Sequence, residues 1–223
     1  MTALTLFSPS GVVARPAALR LAARRLAMLG FAPRIDADAL ARHQRFAGDD
    51  ATRLQALHRV ADEAPSVAMA TRGGYGLTPL LDAIDWPRLA RAVERGTRWV
   101  GFSDFTALQL GLWAYTGAGS WAGPMALDDF ARADEAGGTD EVTADCFSEA
   151  MGGELEAVGF RTEAGFDGLA VRGPLWGGNL TMLCSLIGTP HFPRPARIRG
   201  GVLFVEDVNE HPYRVERMLL QLA

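Results

Sequence analysis

The 223-residue sequence predicts an α/β fold built on a parallel sheet. Short apolar runs alternate with amphipathic helical patterns over the first half of the chain, and turn-forming Gly and Pro residues separate them. Strands that alternate with helices form a parallel sheet covered on both faces. Ligands of such sheets bind beyond the carboxyl ends of the strands, so the turns that follow the apolar runs are the places to look for a site.

The first half of the chain contains four strand patterns and three helical patterns. The first helix has Pro16 in its first turn and Gly30 at its C-terminal cap, and Pro65 stops the second helix. The expected strands cover residues 3–7, 31–35, 67–70 and 98–102, and the expected helices cover 16–29, 51–64 and a segment around Leu80, Leu81 and Ile84.

The second half of the chain is less regular. Residues 118–153 are rich in Gly, Ala and acidic residues without a clear period, and we expect an irregular connection there. Short strands and turns are expected over 168–178, a buried helix over 179–187, a strand over 198–205 and a helix over 213–222. The expected domains are residues 1–117, a connection over 118–160 and a partial domain over 161–223. The last helix has no terminating signal, so the chain end is expected to be cut.

Composition excludes several functions. The formal net charge is −4, which argues against nucleic acid as a partner. The sequence has no Lys, and therefore no Schiff-base or Walker A lysine. Cys146, Cys184 and the four scattered histidines form no zinc motif, so we expect neither a metal nor a cofactor. No signal peptide or membrane-length apolar run occurs, and a cytoplasmic protein without a membrane partner is expected.

The sequence GFSDFTAL places Ser103 between a strand and a helix. Serine is a favoured N-cap residue, and capping alone would explain it. A strand-to-helix turn can also hold a serine hydroxyl above the sheet as a nucleophile, although this turn lacks the second Gly of GxSxG. The residues themselves leave both interpretations open.

Three other motifs have a structural and a functional interpretation each. RGGYG at 72–76 is either a tight turn or a set of backbone N–H groups that face an oxyanion. In WGGNL, Asn179 either caps a helix or offers its amide to a ligand. Glu206, at the end of the run GVLFV, is either a solvated strand end or the carboxylate that orients a catalytic histidine.

Five motifs together resemble one family, the LD-carboxypeptidases or muramoyltetrapeptide carboxypeptidases, which are serine peptidases that include the microcin C immunity proteins. They are SPSG near the start, RGGYG, GFSDFTAL, GGNLTMLCSLIGTP and LFVEDVNEHPYRVERMLLQL, in that order. The resemblance implies a Rossmann-like N-terminal domain, a smaller β-rich C-terminal domain that is incomplete here, and an active site between them.

The resemblance also implies an activity: hydrolysis of the amide between an L-centre and a terminal D-amino acid, which releases D-alanine from murein tetrapeptides during peptidoglycan recycling. Ser103 would be the nucleophile, and Glu206 the triad carboxylate. The backbone N–H groups of Asp104 and Gly74 would form the oxyanion hole. Arg72, Asn179 and Trp176 are expected to contact the substrate. The expected partner is a murein peptide, and a homodimer is one candidate assembly.

The sequence departs from the family in one respect. The family's triad histidine lies in a C-terminal Gly-His segment that matches nothing here, and His211 is the one substitute near Glu206. Two alternatives therefore stay open. One is a microcin C-type hydrolase of an aminoacyl-nucleotide analogue, with Trp121 or Trp176 as a platform for the base. The other is a non-catalytic ligand-binding protein.

Overall fold

The computed structural model describes residues 1–165 and 168–223. Its N-terminal part is a five-stranded sheet in the order β2-β1-β3-β4-β5, and all four strand pairs are parallel. The elements are β1 (Thr2–Phe7), α1 (Pro16–Met28), β2 (Phe31–Ile35), α2 (Asp50–Glu63), β3 (Val67–Ala70), a 3-10 helix (Thr78–Ala83), α3 (Trp86–Glu94), β4 (Arg98–Gly101), a 3-10 turn (Ser103–Phe105), α4 (Thr106–Thr116) and β5 (Trp121–Ala122).

Both faces of this sheet are covered, which confirms the α/β class. On one face Phe7, Ala68 and Trp99 pack in a cluster with Leu57 of α2 and Leu89 of α3. On the other face a second cluster contains residues of the strands, of α1 and of the segment after β5, including Leu4, Leu6, Met69, Leu19, Leu26 and Phe147. The loops that follow the strands therefore leave a sheet covered on both faces, at its carboxyl edge.

Helices α1 and α2 begin at or next to the predicted residues, whereas the segment around Leu80 and Leu81 forms a 3-10 helix that is followed by α3. Pro16 occupies the first turn of α1. The Asp49 carboxylate caps α2 by accepting a hydrogen bond from the Thr52 N–H at 2.8 Å. Ala64, in a left-handed conformation with φ of 44°, ends α2 directly before Pro65.

The expectation of an irregular connection over 118–153 is wrong at two places. The two-residue strand β5 joins the sheet beside β4, and α5 (Glu141–Gly152) is a regular helix capped by Asp140. Phe147 of α5 packs on Phe31, with ring centroids 5.1 Å apart. A two-residue strand is too short for a periodic signal, and the Gly-rich flank of α5 hides its apolar spacing.

The C-terminal part contains a second, two-stranded sheet. Its elements are β6 (Leu175–Asn179), α6 (Leu180–Leu186), α7 (Pro195–Ile198), β7 (Val202–Glu206) and α8 (Pro212–Leu222), after a 3-10 turn at Asp134–Ala136 and α5. β6 and β7 are parallel. The strand expected over 198–205 begins four residues later, because α7 and a turn occupy 195–201. Among the described residues no helix is both long and apolar enough to span a bilayer.

Candidate active site

Ser103 follows the last residues of β4 in a left-handed backbone conformation, with φ of 60°. Such a conformation costs a non-Gly residue on the order of 1 kcal/mol, and it is concentrated at functional sites. Phe102 is the N-cap of the turn, and among the described residues no side chain caps either this turn or α4. The capping interpretation of Ser103 is therefore wrong. The turn has the strained strand-to-helix geometry of a nucleophile elbow.

Gly73 lies directly against the Ser103 side chain. A Cβ added to Gly73 would lie 2.9 Å from Ser103 Cβ and 3.0 Å from its Oγ, with Met125 Cε at 3.4 Å. Any larger residue would therefore displace the hydroxyl. The absence of a side chain at this position lets a backbone segment approach the serine closely, as an oxyanion site requires.

Gly74 has a different environment. Its φ is 103°, and an added Cβ would meet only Arg72 Nη2 at 3.8 Å and Gly11 Cα at 3.9 Å. Arg72 turns back toward the loop after β1, where its Nη1 donates to the Val12 carbonyl at 3.4 Å. The contact with Ser103 thus belongs to Gly73, whereas the expected oxyanion role of the Gly74 N–H stays a prediction.

Asp104 follows the serine and is buried. Its Oδ2 accepts hydrogen bonds from the Ser10 hydroxyl at 2.6 Å and from the Leu77 N–H at 3.1 Å. Burial raises the pKa of the Asp104 carboxyl above its ordinary value, and the hydrogen bonds from Ser10 and Leu77 act in the opposite direction. The side chain of this residue links three loops, while its backbone N–H is the one expected to face an oxyanion.

The C-terminal sheet meets the nucleophile turn through Thr106. The Thr106 hydroxyl accepts the Asn179 N–H at 2.9 Å, and a Cβ added to Gly178 would lie 2.4 Å from that oxygen. The Asn179 side chain accepts from the Met182 N–H at 3.2 Å, so it caps α6. The capping interpretation of Asn179 is confirmed, and contact with a substrate stays a prediction for its remaining amide group.

Glu206 is the last residue of β7 and lies beside Asn179 of β6 in the strand register. Its Oε1 accepts the backbone N–H of Ser103 at 3.2 Å. This hydrogen bond brings a half-buried carboxylate to the nucleophile from the other part of the chain. Ser103 and Glu206, 103 positions apart in sequence, are therefore adjacent in space, as their expected roles require.

Family comparisons cover both parts of the chain. Residues 4–123 match the LD-carboxypeptidase N-terminal domain, and residues 172–223 match the LD-carboxypeptidase C-terminal domain. The chain belongs to the LD-carboxypeptidase family. The N-terminal match contains the SPSG loop, RGGYG and the Ser103 turn, and the C-terminal match contains Asn179 and Glu206.

Individual members of the LD-carboxypeptidase family are similar over most of this chain. A putative carboxypeptidase of Streptomyces coelicolor is 36% identical over 188 residues, which are 82% of this chain and 57% of that protein. A probable murein peptide carboxypeptidase of Bacillus subtilis is 33% identical over 181 residues, which are 81% of this chain and 54% of that protein. The chain thus spans little more than half the length of these two relatives.

Solved structures show the same fold. The muramoyltetrapeptide carboxypeptidase of Oxalobacter formigenes is 37% identical, with a TM-score of 0.85 over 99% of this chain and 71% of that one. MccF in complex with glutamyl sulfamoyl guanosine is 21% identical, with a TM-score of 0.81 over 99% of this chain and 73% of that one. The second likeness is one of fold alone.

The four histidines of this chain all lie in the described residues. None of them forms a hydrogen bond with Ser103 or Glu206 there. Their surroundings are as follows: His43 bridges to Phe46, His58 accepts the Asp85 N–H at 3.0 Å, buried His191 pairs with Asp82 at 3.0 Å, and exposed His211 packs on Tyr213. The pKa of His58 is lowered, chiefly by burial and then by Arg88.

The two tryptophans proposed as platforms for a base each line a cavity. Trp176 packs edge-on against Phe192 and borders a cavity of about 230 Å³ together with Trp113 and Phe204. Trp121 lies on β5 and borders a cavity of about 350 Å³ beside α5. A role for either ring in binding substrate or a nucleobase stays a prediction.

The sequence assigned no individual role to three residues of the site. Ser10 and Thr106 belong to the SPSG and GFSDFTAL motifs without a role of their own, and Arg53 belongs to the helix expected over 51–64. Arg53 is fully buried in the structure. A buried arginine within the helix α2 could have been suspected from its helical spacing to the apolar residues Leu57 and Val60, but the carbonyl groups that it binds lie in distant loops.

Proposed function

We propose that this chain carries the nucleophile, the oxyanion site and the carboxylate of a serine carboxypeptidase. Its substrate would be a murein tetrapeptide, and the bond cleaved would join an L-centre to the terminal D-alanine. The observation that carries the proposal is Ser103 at φ of 60° after a parallel strand, with Gly73 against its hydroxyl. The names of relatives that act on murein peptides support the substrate class.

The proposed first step is acylation. Ser103 Oγ attacks the scissile carbonyl carbon, its proton passes to a base, and the carbonyl oxygen becomes an oxyanion. The N–H of Asp104 and a backbone N–H of the Gly73-Gly74 segment would stabilise that oxyanion. When the tetrahedral intermediate collapses, the amine of D-alanine takes a proton and leaves. Water then hydrolyses the acyl-serine ester and restores the hydroxyl.

Glu206 would act on the base and on the backbone of the nucleophile. A carboxylate at a serine triad holds an imidazole in the correct tautomer and stabilises the imidazolium that forms. Here the same carboxylate also accepts the Ser103 N–H, which fixes the turn in its strained conformation. Arg72 is the first residue of the Gly-rich loop, which covers residues 72–76. It is the proposed partner of the terminal carboxylate of the peptide, because a guanidinium binds carboxylates well.

The test of this function depends on which group accepts the proton of the Ser103 hydroxyl. Because no histidine forms a hydrogen bond with Ser103 or Glu206 in the described residues, we expect slow turnover by the chain alone. Loss of one triad member costs on the order of 10⁴-fold or more in rate. Imidazole added to the solution should occupy the place of the missing ring and raise the rate.

The experiment incubates the full chain with murein tetrapeptide, with and without imidazole, and measures free D-alanine. Wild type should release D-alanine at a rate that rises with imidazole. Ser103→Ala should release none, whereas Ser185→Ala, in α6, should match wild type. No release under any condition would contradict the peptidase proposal. Release that is equally fast with and without imidazole would place a base within the chain, and His211→Ala would then test the histidine closest in sequence to Glu206.

A further inference from the structure

Two buried charged side chains hold the loops around Ser103. The first is Arg53 of α2, which is 0% exposed. Its guanidinium donates to the Pro9 carbonyl at 3.0 Å and also to the Gly76 carbonyl. Arg53 thereby connects the loop after β1 with the Gly-rich loop after β3.

The second is Asp104, which is 1% exposed. Its carboxylate accepts from Ser10 and from Leu77, the residues that directly follow the two carbonyls bound by Arg53. Each loop is therefore held at two consecutive positions, once by a cation and once by an anion. We call Arg53 and Asp104 the loop clamp.

The loop clamp acts on atoms that contact the nucleophile. Gly11, next to Ser10, is packed so closely on the Gly-rich loop that an added Cβ would lie 2.8 Å from the Gly73 carbonyl oxygen. Gly73 in turn lies against Ser103. A shift of either loop would thus move the backbone that faces the serine hydroxyl.

Stability alone is a poor explanation for this pair. Buried charges are costly, and apolar residues of similar volume are often equally stable in their place. Within the described residues Arg53 Nε and Asp104 Oδ1 are buried without a hydrogen-bond partner, which adds to the cost. The polar atoms that do have partners all connect the two loops, apart from a bond between Arg53 and its neighbour Asp50.

We propose that Asp104 is a positioning residue: its carboxylate, together with Arg53, fixes the loops of Ser10 and Gly73 at the distance from Ser103 that acylation needs. The inference rests on the proposed function for its catalytic consequence, but the holding of the loops can be measured without any turnover. Small misplacements at a reacting centre cost about 100-fold in rate, so the effect should fall on kcat.

The variants separate positioning from general stability. Asp104→Asn keeps an oxygen that can accept from Ser10 and Leu77, whereas Asp104→Ala removes it. Ser10→Ala removes one of the two bonds and is the milder variant if Asp104→Ala does not fold. The matched control is Asp36→Ala. Asp36 is also a buried aspartate beyond a strand of this sheet, but its side chain binds Arg59 and the Asp38 N–H instead of the loops.

The first measurement is kinetic, with imidazole present. Asp104→Ala should lower kcat about 100-fold while KM changes less than about threefold, and Asp104→Asn should recover to within about tenfold of wild type. Ser10→Ala should fall between them, and folded Asp36→Ala should keep the kcat of wild type. A kcat for Asp104→Ala equal to that of Asp36→Ala would overturn the proposal.

The second measurement is amide hydrogen exchange in the absence of substrate. Asp104→Ala and Ser10→Ala should speed exchange at residues 10–12 and 73–77, and Asp36→Ala should not. If wild type releases no D-alanine, the proposed function fails and exchange alone decides. Faster exchange confined to these loops would still support the clamp, and unchanged exchange in them would overturn it.

Discussion

The two sheets of the molecule differ sharply in how their strands are buried. All four residues of β3 are 0% exposed, whereas Leu203, Phe204 and Val205 of β7 are 41%, 48% and 40% exposed. Ser103 lies where the two parts meet, and residues of both parts contact it. The N-terminal sheet sets the turn, Gly73 and the loop clamp, while the C-terminal sheet reaches the serine backbone through Glu206.

A pair of leucine deletions would test this difference in burial. Leu6→Ala in β1 should reduce the free energy of unfolding by about 3 kcal/mol, because it leaves a cavity in the core. Leu203→Ala in β7 should cost less than about 1 kcal/mol, because 41% of that residue is already exposed. Urea unfolding followed by circular dichroism measures both. Equal losses would show that the C-terminal sheet is packed as firmly as the N-terminal one.

The glycines of the Gly-rich loop offer a sharper comparison within the N-terminal part. Gly73→Ala should lower kcat about 100-fold, since its methyl group would press on Ser103 Oγ. A methyl group at Gly74 would make ordinary van der Waals contacts with Arg72 and Gly11, so Gly74→Ala should mainly cost about 1 kcal/mol of stability through its φ of 103°. Release of D-alanine with imidazole, together with thermal unfolding, distinguishes them. A larger loss of kcat in Gly74→Ala than in Gly73→Ala would show that the critical contact with Ser103 belongs to Gly74.

The contribution of the C-terminal part can be isolated at Glu206. Glu206→Gln should lower the imidazole-supported kcat about 10-fold to 30-fold, because a neutral amide stabilises an imidazolium less than a carboxylate does. Asp207→Asn is the control, since Asp207 is exposed and bonds only to the Glu210 N–H in the described residues. If both variants kept full activity, Glu206 would be only a backbone cap for Ser103.

The smallest expected effect is a pH dependence from Asp104. Burial raises its folded-state pKa above the ordinary 3.8, so the folded state binds the proton more tightly than the unfolded state. Its contribution to stability is full below about 3.8 and declines as pH rises through the raised pKa. The unfolding free energy of wild type, minus that of Asp104→Asn, should therefore fall with rising pH. A constant or rising difference, measured by urea titrations from pH 3.5 upward, would contradict this direction.

Sequence patterns predicted most of the N-terminal fold because its elements are long enough to show a period. The helices α1 and α2 have Pro and apolar residues at the expected positions, and the buried strand β3 is uniformly apolar. The pattern failed where an element is short or flanked by Gly, as in β5 and α5.

The site was predictable only in part. Local sequence left Ser103 balanced between cap and nucleophile, because the sign of φ at a single residue cannot be read from GFSDF. Gly73 and Gly74 are adjacent residues of the same type, so the sequence cannot distinguish their roles. The atoms that surround each of them in the structure do. The hydrogen bonds that Arg53 donates to Pro9 and Ser10 donates to Asp104 join residues 44 and 94 positions apart. No short window of the sequence contains either pair.

A fluorophosphonate probe, used in the presence of imidazole and followed by mass spectrometry of the chain, tests whether Ser103 is a nucleophile held by the N-terminal sheet and its loop clamp. We expect one adduct, on the peptide that contains Ser103, absent in Ser103→Ala and reduced in Gly73→Ala. No adduct on wild type, or an adduct that persists in Ser103→Ala, would contradict it.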